Sequence, residues 1–225
     1  MADKDHLNMI ITGHIDNGKS TTMGHFLLDL GVVDERTISA HAKESEETGK
    51  GDSFKYAWVM DNIKDERARG ITIDLAFKKF ETPKFFFTLI DAPGHRDFVK
   101  NMITGASEAD CAVLVLSAKE GETDTAIAPG GQAREHAFLL KTLGVKQIIV
   151  AINKMDDSKF SEDAFNTAKQ KGEGLVKSVG YKVDEVPFVP VSGWTGENLV
   201  KKSENMPWYK GKTLLETFDD FKSPE

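Results

Sequence analysis

Apolar positions along the chain fall into short runs separated by amphipathic stretches, and that alternation predicts the architecture before any motif is considered. Leu7-Asn8-Met9-Ile10-Ile11, Cys111-Ala112-Val113-Leu114-Val115-Leu116 and Ile148-Ile149-Val150-Ala151-Ile152 are short apolar runs; the last two are continuous, as in strands covered on both faces. Ile73-Asp74-Leu75-Ala76-Phe77 alternates, Phe85-Phe86-Phe87-Thr88-Leu89-Ile90 is aromatic and β-branched, and Glu81-Thr82-Pro83-Lys84 supplies a turn between them. That pair predicts a hairpin, with one strand antiparallel to the rest. Val186-Pro187-Phe188-Val189-Pro190-Val191 is a sixth strand. Between the strands the period changes to that of a helix: Met23, Phe26, Leu27 and Leu30, then residues 97–106, 132–143, 161–179 and 213–221. Ser161 reads as an N-cap, Gly180 as a C-cap, Gly31 as a stop and Asp34 as a new start.

Residues 32–70 interrupt this rhythm. They are polar and weakly periodic, with 45–52 reading as a flexible loop and 54–60 as a short piece that docks aromatic side chains. A connection of roughly forty residues is functional or mobile rather than a plain loop. Strand and helix otherwise alternate, which implies right-handed crossovers and a doubly wound α/β sheet. Ligands of such sheets bind beyond the carboxyl ends of the strands.

Composition narrows the function classes. A chain of 225 residues suits one large domain, and 40% hydrophobic with 29% charged residues is ordinary for a soluble one. No apolar run approaches the ~20 residues of a membrane span. Met1-Ala2-Asp3-Lys4-Asp5-His6 lacks a secretory pattern, so the expected location is cytoplasmic, and the lone cysteine, Cys111, fits a reducing compartment. A net charge of −7 excludes a generally basic nucleic-acid binder, so any RNA contact must be local; Lys78-Lys79 and the lysines at 201, 202, 210 and 212 read as solvated surface.

The chemistry is concentrated at strand ends. Gly13-His14-Ile15-Asp16-Asn17-Gly18-Lys19-Ser20 fits G-x-x-x-x-G-K-[ST] between a strand and a helix, the context a phosphate cradle requires. Its glycines let backbone N–H groups and the helix dipole face an anion, Lys19 would bridge β- and γ-phosphates, and the Ser20 hydroxyl would ligate Mg²⁺. Asp91-Ala92-Pro93-Gly94-His95 places a carboxylate that would reach Mg²⁺ through water, a free Gly94 N–H for a γ-phosphate, and an imidazole, His95, able to orient an attacking water. Thr72, after Arg69-Gly70-Ile71, would add a second protein oxygen to the metal. Asn153-Lys154-Met155-Asp156 carries a carboxylate, Asp156, suited to a base with N1–H and an exocyclic amine, which guanine has and adenine lacks; backbone N–H groups of Ser192-Gly193-Trp194 would meet its O6. The other five histidines are assigned structural or surface roles.

These motifs, extended by Thr21, by 66–74, by Arg96-Asp97-Phe98 and by Asn205-Met206-Pro207-Trp208-Tyr209-Lys210-Gly211, resemble the G domain of the translational GTPases of the elongation factor 1 alpha family, archaeal and eukaryotic in kind and related to bacterial EF-Tu. The resemblance covers essentially the whole chain. It implies a three-layer P-loop NTPase of Ras-like type: a mostly parallel six-stranded sheet with one antiparallel strand, helices on both faces, and a long switch I insertion at about 32–72. It further implies binding of GTP or GDP with Mg²⁺ by residues 13–21, Asp91, Gly94, Asn153, Lys154, Asp156 and 192–194. Slow GTP hydrolysis would depend on Lys19, Thr72 and His95, with Ile15 and Ile71 as an apolar gate and Asp16 as a holder of a monovalent cation. Asn17 departs from the His or Ser usual there and is expected to act mainly through its backbone. The family's two C-terminal β-barrel domains are not in the 225 residues, so an excised, monomeric G domain is expected. Partners implied for the parent protein are aminoacyl-tRNA, the ribosome and a nucleotide exchange factor. The G domain of a termination or ribosome-rescue factor, or of a sulfate-activation GTPase, is the alternative; a scaffold that signals by loop order without useful hydrolysis, and an ATP-specific site, are the rivals of other classes.

Overall fold

The computed structural model describes residues 4–14, 17–47, 49, 55–60, 76–91 and 99–224. Among them six strands form one sheet in the order β2-β3-β1-β4-β5-β6. They are β1 (Asp5–Gly13), β2 (Ala76–Glu81), β3 (Phe85–Asp91), β4 (Cys111–Ser117), β5 (Gln147–Asn153) and β6 (Phe188–Pro190). Only β2 runs antiparallel, paired to β3 through the turn at 82–84. The parallel register sets Ile11 beside Asp91, Gly13 beside Val115, Ser117 beside Asn153 and Ile152 beside Pro190, so the strands end together along one rim.

Alternation within the apolar runs explains the layers, because successive side chains of a strand leave on opposite faces. Met9, Ile11, Cys111, Val113 and Val115 pack against Met23, Phe26 and Leu27 of α1 (Lys19–Asp29), Ile38 of α2 (Glu35–Glu47) and Phe218 of α7 (Leu214–Phe218). Ile10, Ala112, Leu114, Ile148 and Val150 pack on the other face against Ala106 of α3 (Val99–Glu108), Ala126 of α4 (Glu122–Ile127), Leu140 of α5 (Gln132–Thr142) and Leu175 of α6 (Glu162–Val179). A sheet covered on both sides needs both parities apolar, which is why the runs are continuous.

Several expected boundaries move. The loop expected from position 45 is helical to Glu47: Thr37 donates from its N–H and its hydroxyl to Asp34 Oδ1, both at 2.8 Å, and Ile38 and Ser45, two turns apart, are buried on one face. Burial of a small polar residue among charged neighbours gives no hydrophobic period to read. Residues 48 and 50–54 lie outside the described residues, as do 73–75 of the expected strand; β2 instead includes Lys78 and Lys79, which charge the sheet's edge. The last strand shrinks to three residues between prolines that cannot donate to a ladder. α7 is also shorter than 213–221, although Thr213 and Glu216 make a full capping box. Ser161 and Gly180 (φ 101°) cap α6 as expected. The short helix α4 had no sequence signal. No helix of the described residues is long and apolar enough to cross a membrane.

Candidate functional site

The loop after β1 turns into α1 at Gly18, whose φ of 76° lies in the left-handed region and whose missing Cβ would sit 2.7 Å from Asn153 Nδ2. Both requirements exclude a larger residue. α1 then begins at Lys19, with the Thr22 N–H and hydroxyl donating to the Gly18 carbonyl at 2.9 and 2.7 Å. Asn17 does more than lend its backbone. Its side chain is fully buried and its Nδ2 donates to the Val115 carbonyl at 3.1 Å, tying the loop to β4.

At the end of β3 the Asp91 carboxylate is wholly buried and uses both oxygens: Lys19 Nζ is 2.6 Å from Oδ1, and Ser20 Oγ donates to Oδ2 at 2.8 Å. The Lys19 ammonium is itself almost fully buried, so each charge is tolerable only because of the other. Beneath the loop, His136 of α5 shares a 2.6 Å hydrogen bond between Nδ1 and Thr12 Oγ1. Burial first, then the nearby charges of Lys19 and His14, lower its pKa to about 4. A histidine held neutral in the fold is charged first in the unfolded chain as pH falls below its ordinary value of about 6.5. Stability is therefore expected to be full above pH 6.5 and to decline towards pH 4, by up to about 3 kcal/mol from this group alone. Urea midpoints across that window check it, and His136→Gln should flatten the slope.

The third and fourth strand ends interlock with the loop. Asn153 donates from Nδ2 to the Asn17 carbonyl at 2.8 Å and accepts the Gly193 N–H on Oδ1 at 2.8 Å, so one side chain spans two loops. Asp156 Oδ1 accepts the Ser192 hydroxyl at 2.7 Å, and Ser192 Oγ accepts the Thr195 N–H at 3.1 Å. Lys154 takes a left-handed φ of 61° and reaches Glu122 of α4 at 2.8 and 3.0 Å. Burial alone would raise the Glu122 carboxyl, but Lys154 and the Ser117 hydroxyl hold it below its ordinary value. A cleft of about 230 Å³ opens between Gly18, Thr21, Asn153, Asp156, Asp157 and Trp194, with Lys154 as a wall. A second, of about 410 Å³, shares Lys154 as a wall and is lined by His14, Asn17 and Gly121.

The described residues thus bring four of the five expected loops onto one rim: a cationic, donor-rich end at Lys19 and Ser20, and a carboxylate-bearing cleft at Asp156. That arrangement suits an elongated anion with an amide-like base at its far end. Ile15, Asp16, Ile71, Thr72, Gly94 and His95 lie outside the described residues.

The family described as elongation factor Tu GTP binding domain matches residues 4–224. The chain belongs to that family. It is 84% identical over 225 residues to elongation factor 1-alpha of Cenarchaeum symbiosum (strain A), covering all of this chain and 52% of that protein. Elongation factor 1-alpha of Ignicoccus hospitalis is 56% identical over 224 residues, 99% of this chain and 50% of that protein. Among solved structures, Sup35 complexed with GMPPNP is 32% identical with a TM-score of 0.71, over 99% of this chain and 46% of that one. The chain therefore spans about half the length of the relatives it matches. Within that family the matched residues are the GTP-binding domain.

For such a domain the structure adds residues that the motifs did not mark. Glu122 anchors Lys154 from a stretch, Glu120-Gly121-Glu122, that reads only as polar loop. His25 binds the Gly193 carbonyl at 2.8 Å from inside α1, where its helical spacing signals nothing but core.

Proposed function

We propose that this chain is the GTP-hydrolysing switch of an elongation factor that delivers aminoacyl-tRNA to the ribosomal A site. The reading rests first on the joined rim, where the Lys19–Asp91 pair at one end and the Ser192–Asp156 pair at the other are linked by Asn153. The 84% identity to an elongation factor 1-alpha over the whole chain supports this reading.

The site residues take the following roles. Lys19 and the N–H groups at the start of α1 hold the phosphates; Asn153 and Asp156 read guanine, with the loop at 192–194 meeting O6 and the Lys154 stem lining the base. Ser20 presents a hydroxyl that would ligate Mg²⁺, and the Asp91 carboxylate, 2.8 Å from it, would reach the ion through water, with Thr72 as the second protein oxygen. Held by these residues, Mg²⁺ would supply neutralising charge to the phosphate oxygens. Asp16 is assigned to a monovalent cation. His95 orients the attacking water, and Ile15 and Ile71 form an apolar gate that holds the imidazole away until the ribosome acts. In the parent protein the partners are aminoacyl-tRNA, the ribosome and a nucleotide exchange factor; the domain works as a cytoplasmic monomer.

The test is GTP turnover by the full-length protein with and without ribosomes. His95→Ala is expected to lower the ribosome-stimulated rate by at least 10²-fold, in line with loss of a positioned proton-handling group, while GDP affinity changes little. Unchanged stimulated turnover would instead support a scaffold that signals by loop order alone.

A further inference from the structure

The loop at 192–194 is held against α1 by groups outside the expected nucleotide contacts. His25, buried on α1, has Nδ1 2.8 Å from the Gly193 carbonyl oxygen; a carbonyl only accepts, so the imidazole donates there. Its Nε2 lies 3.5 Å from Asp29 one turn on. The ring is stacked on Tyr56 with centroids 4.2 Å apart and planes 11° from parallel, and Tyr56 meets Trp194 edge-on at 5.9 Å. Lys55 Nζ stands 5.3 Å from the Tyr56 ring centre and 5.4 Å from that of Trp194. The backbone of this segment also lies directly on the helix: a Cβ at Gly24 would be 1.9 Å from the Tyr56 carbonyl oxygen.

Peptide geometry turns this packing into a statement about recognition. The Gly193 N–H is already given to Asn153 Oδ1. The next peptide, Gly193 to Trp194, is trans, so fixing its carbonyl on His25 directs the Trp194 N–H to the opposite side, away from α1. Trp194 lines the cleft that also holds Asp156.

We propose that His25 is a positioning residue for base recognition: through the Gly193 carbonyl it aims the Trp194 N–H at the oxygen on position six of guanine. Tyr56 clamps the imidazole in that pose, so the docking of residues 55–60 on α1 and the grip on the base strengthen each other. Such coupling is reciprocal. The inference rests on the reading of the cleft as a guanine site and goes beyond it, since none of His25, Tyr56 and Gly24 lines the cleft.

The probe is 6-thioguanosine diphosphate, which replaces the position-six oxygen by sulfur, a weaker acceptor, and keeps the N1–H and amine that face Asp156. Wild-type protein is expected to bind GDP about tenfold more tightly than the thio analogue, the worth of one good hydrogen bond. His25→Ala should shrink that ratio to about twofold, and Tyr56→Leu and Gly24→Ala should give intermediate ratios. His25→Asn, whose Nδ2 restores a donor near the position of Nδ1, should recover part of it. A ratio unchanged in His25→Ala and Tyr56→Leu, with both ligands weakened alike or not at all, would overturn the proposal and leave these residues a packing role. If His25→Ala does not fold, as its thermal melt would show, Tyr56→Leu and Gly24→Ala decide alone. Equal binding of GDP and ADP by wild type would overturn the guanine reading itself, whereas a clear GDP preference with a His25-independent thio ratio would overturn only this inference.

Discussion

Asp156→Asn is expected to weaken GDP binding by a factor on the order of 10³ to 10⁴ and to make xanthosine diphosphate the preferred ligand. A carboxylate presents only acceptors, which suits the N1–H and 2-amine of guanine. Asparagine turns one acceptor into a donor, and that donor faces an amine in guanine but a carbonyl in xanthine. The Ser192 hydroxyl, 2.7 Å from Asp156 Oδ1, can accept as well as donate, so the loop has a partner in either variant. Competition titration with GDP, ADP and xanthosine diphosphate reads the effect, and an unaltered order of preference would remove Asp156 from base recognition.

Lys19→Ala should act twice. Bound nucleotide loses the cation at its phosphates, and the fold without nucleotide loses the ammonium that sits 2.6 Å from a fully buried Asp91. Stranding a buried charge costs about 3–5 kcal/mol, so the urea midpoint of the ligand-free protein should fall accordingly. Removing both charges in Lys19→Ala/Asp91→Ala should restore most of that stability, because neither group is then left uncompensated. Nucleotide binding should stay lost. A double variant no more stable than the single one would mean that the pair stabilises the fold by packing rather than by mutual charge compensation.

How much of this was legible in the sequence depends on which signal each residue carried. The continuous runs at 111–116 and 148–152 required a sheet covered on both faces, and four of the five motifs followed an apolar run, so the shared rim could be read from order alone. Helix α2 beyond position 45 could not, because its buried face is made of Ile38 and a serine. Asn17 is expected to act through its backbone from its place in the phosphate loop; only the three-dimensional approach of Val115 shows its side chain turned inward. The same holds for Glu122 and His25, whose partners lie 32 and 168 positions away in the chain. Long-range polar contacts leave no periodic trace, whereas burial of apolar strands does.

The central claim is that one guanine nucleotide lies along the rim with its phosphates at Lys19 and its base at Asp156. A crystal structure of the protein with GDP and Mg²⁺ tests it most directly. The account predicts that Lys19 Nζ leaves Asp91 for phosphate oxygens while the Asp156 carboxylate, still beside Ser192, meets N1–H and the 2-amine of the same molecule. A nucleotide that reaches only one of these two residues, or a base lodged outside the cleft walled by Asn153, Lys154 and Trp194, would contradict it.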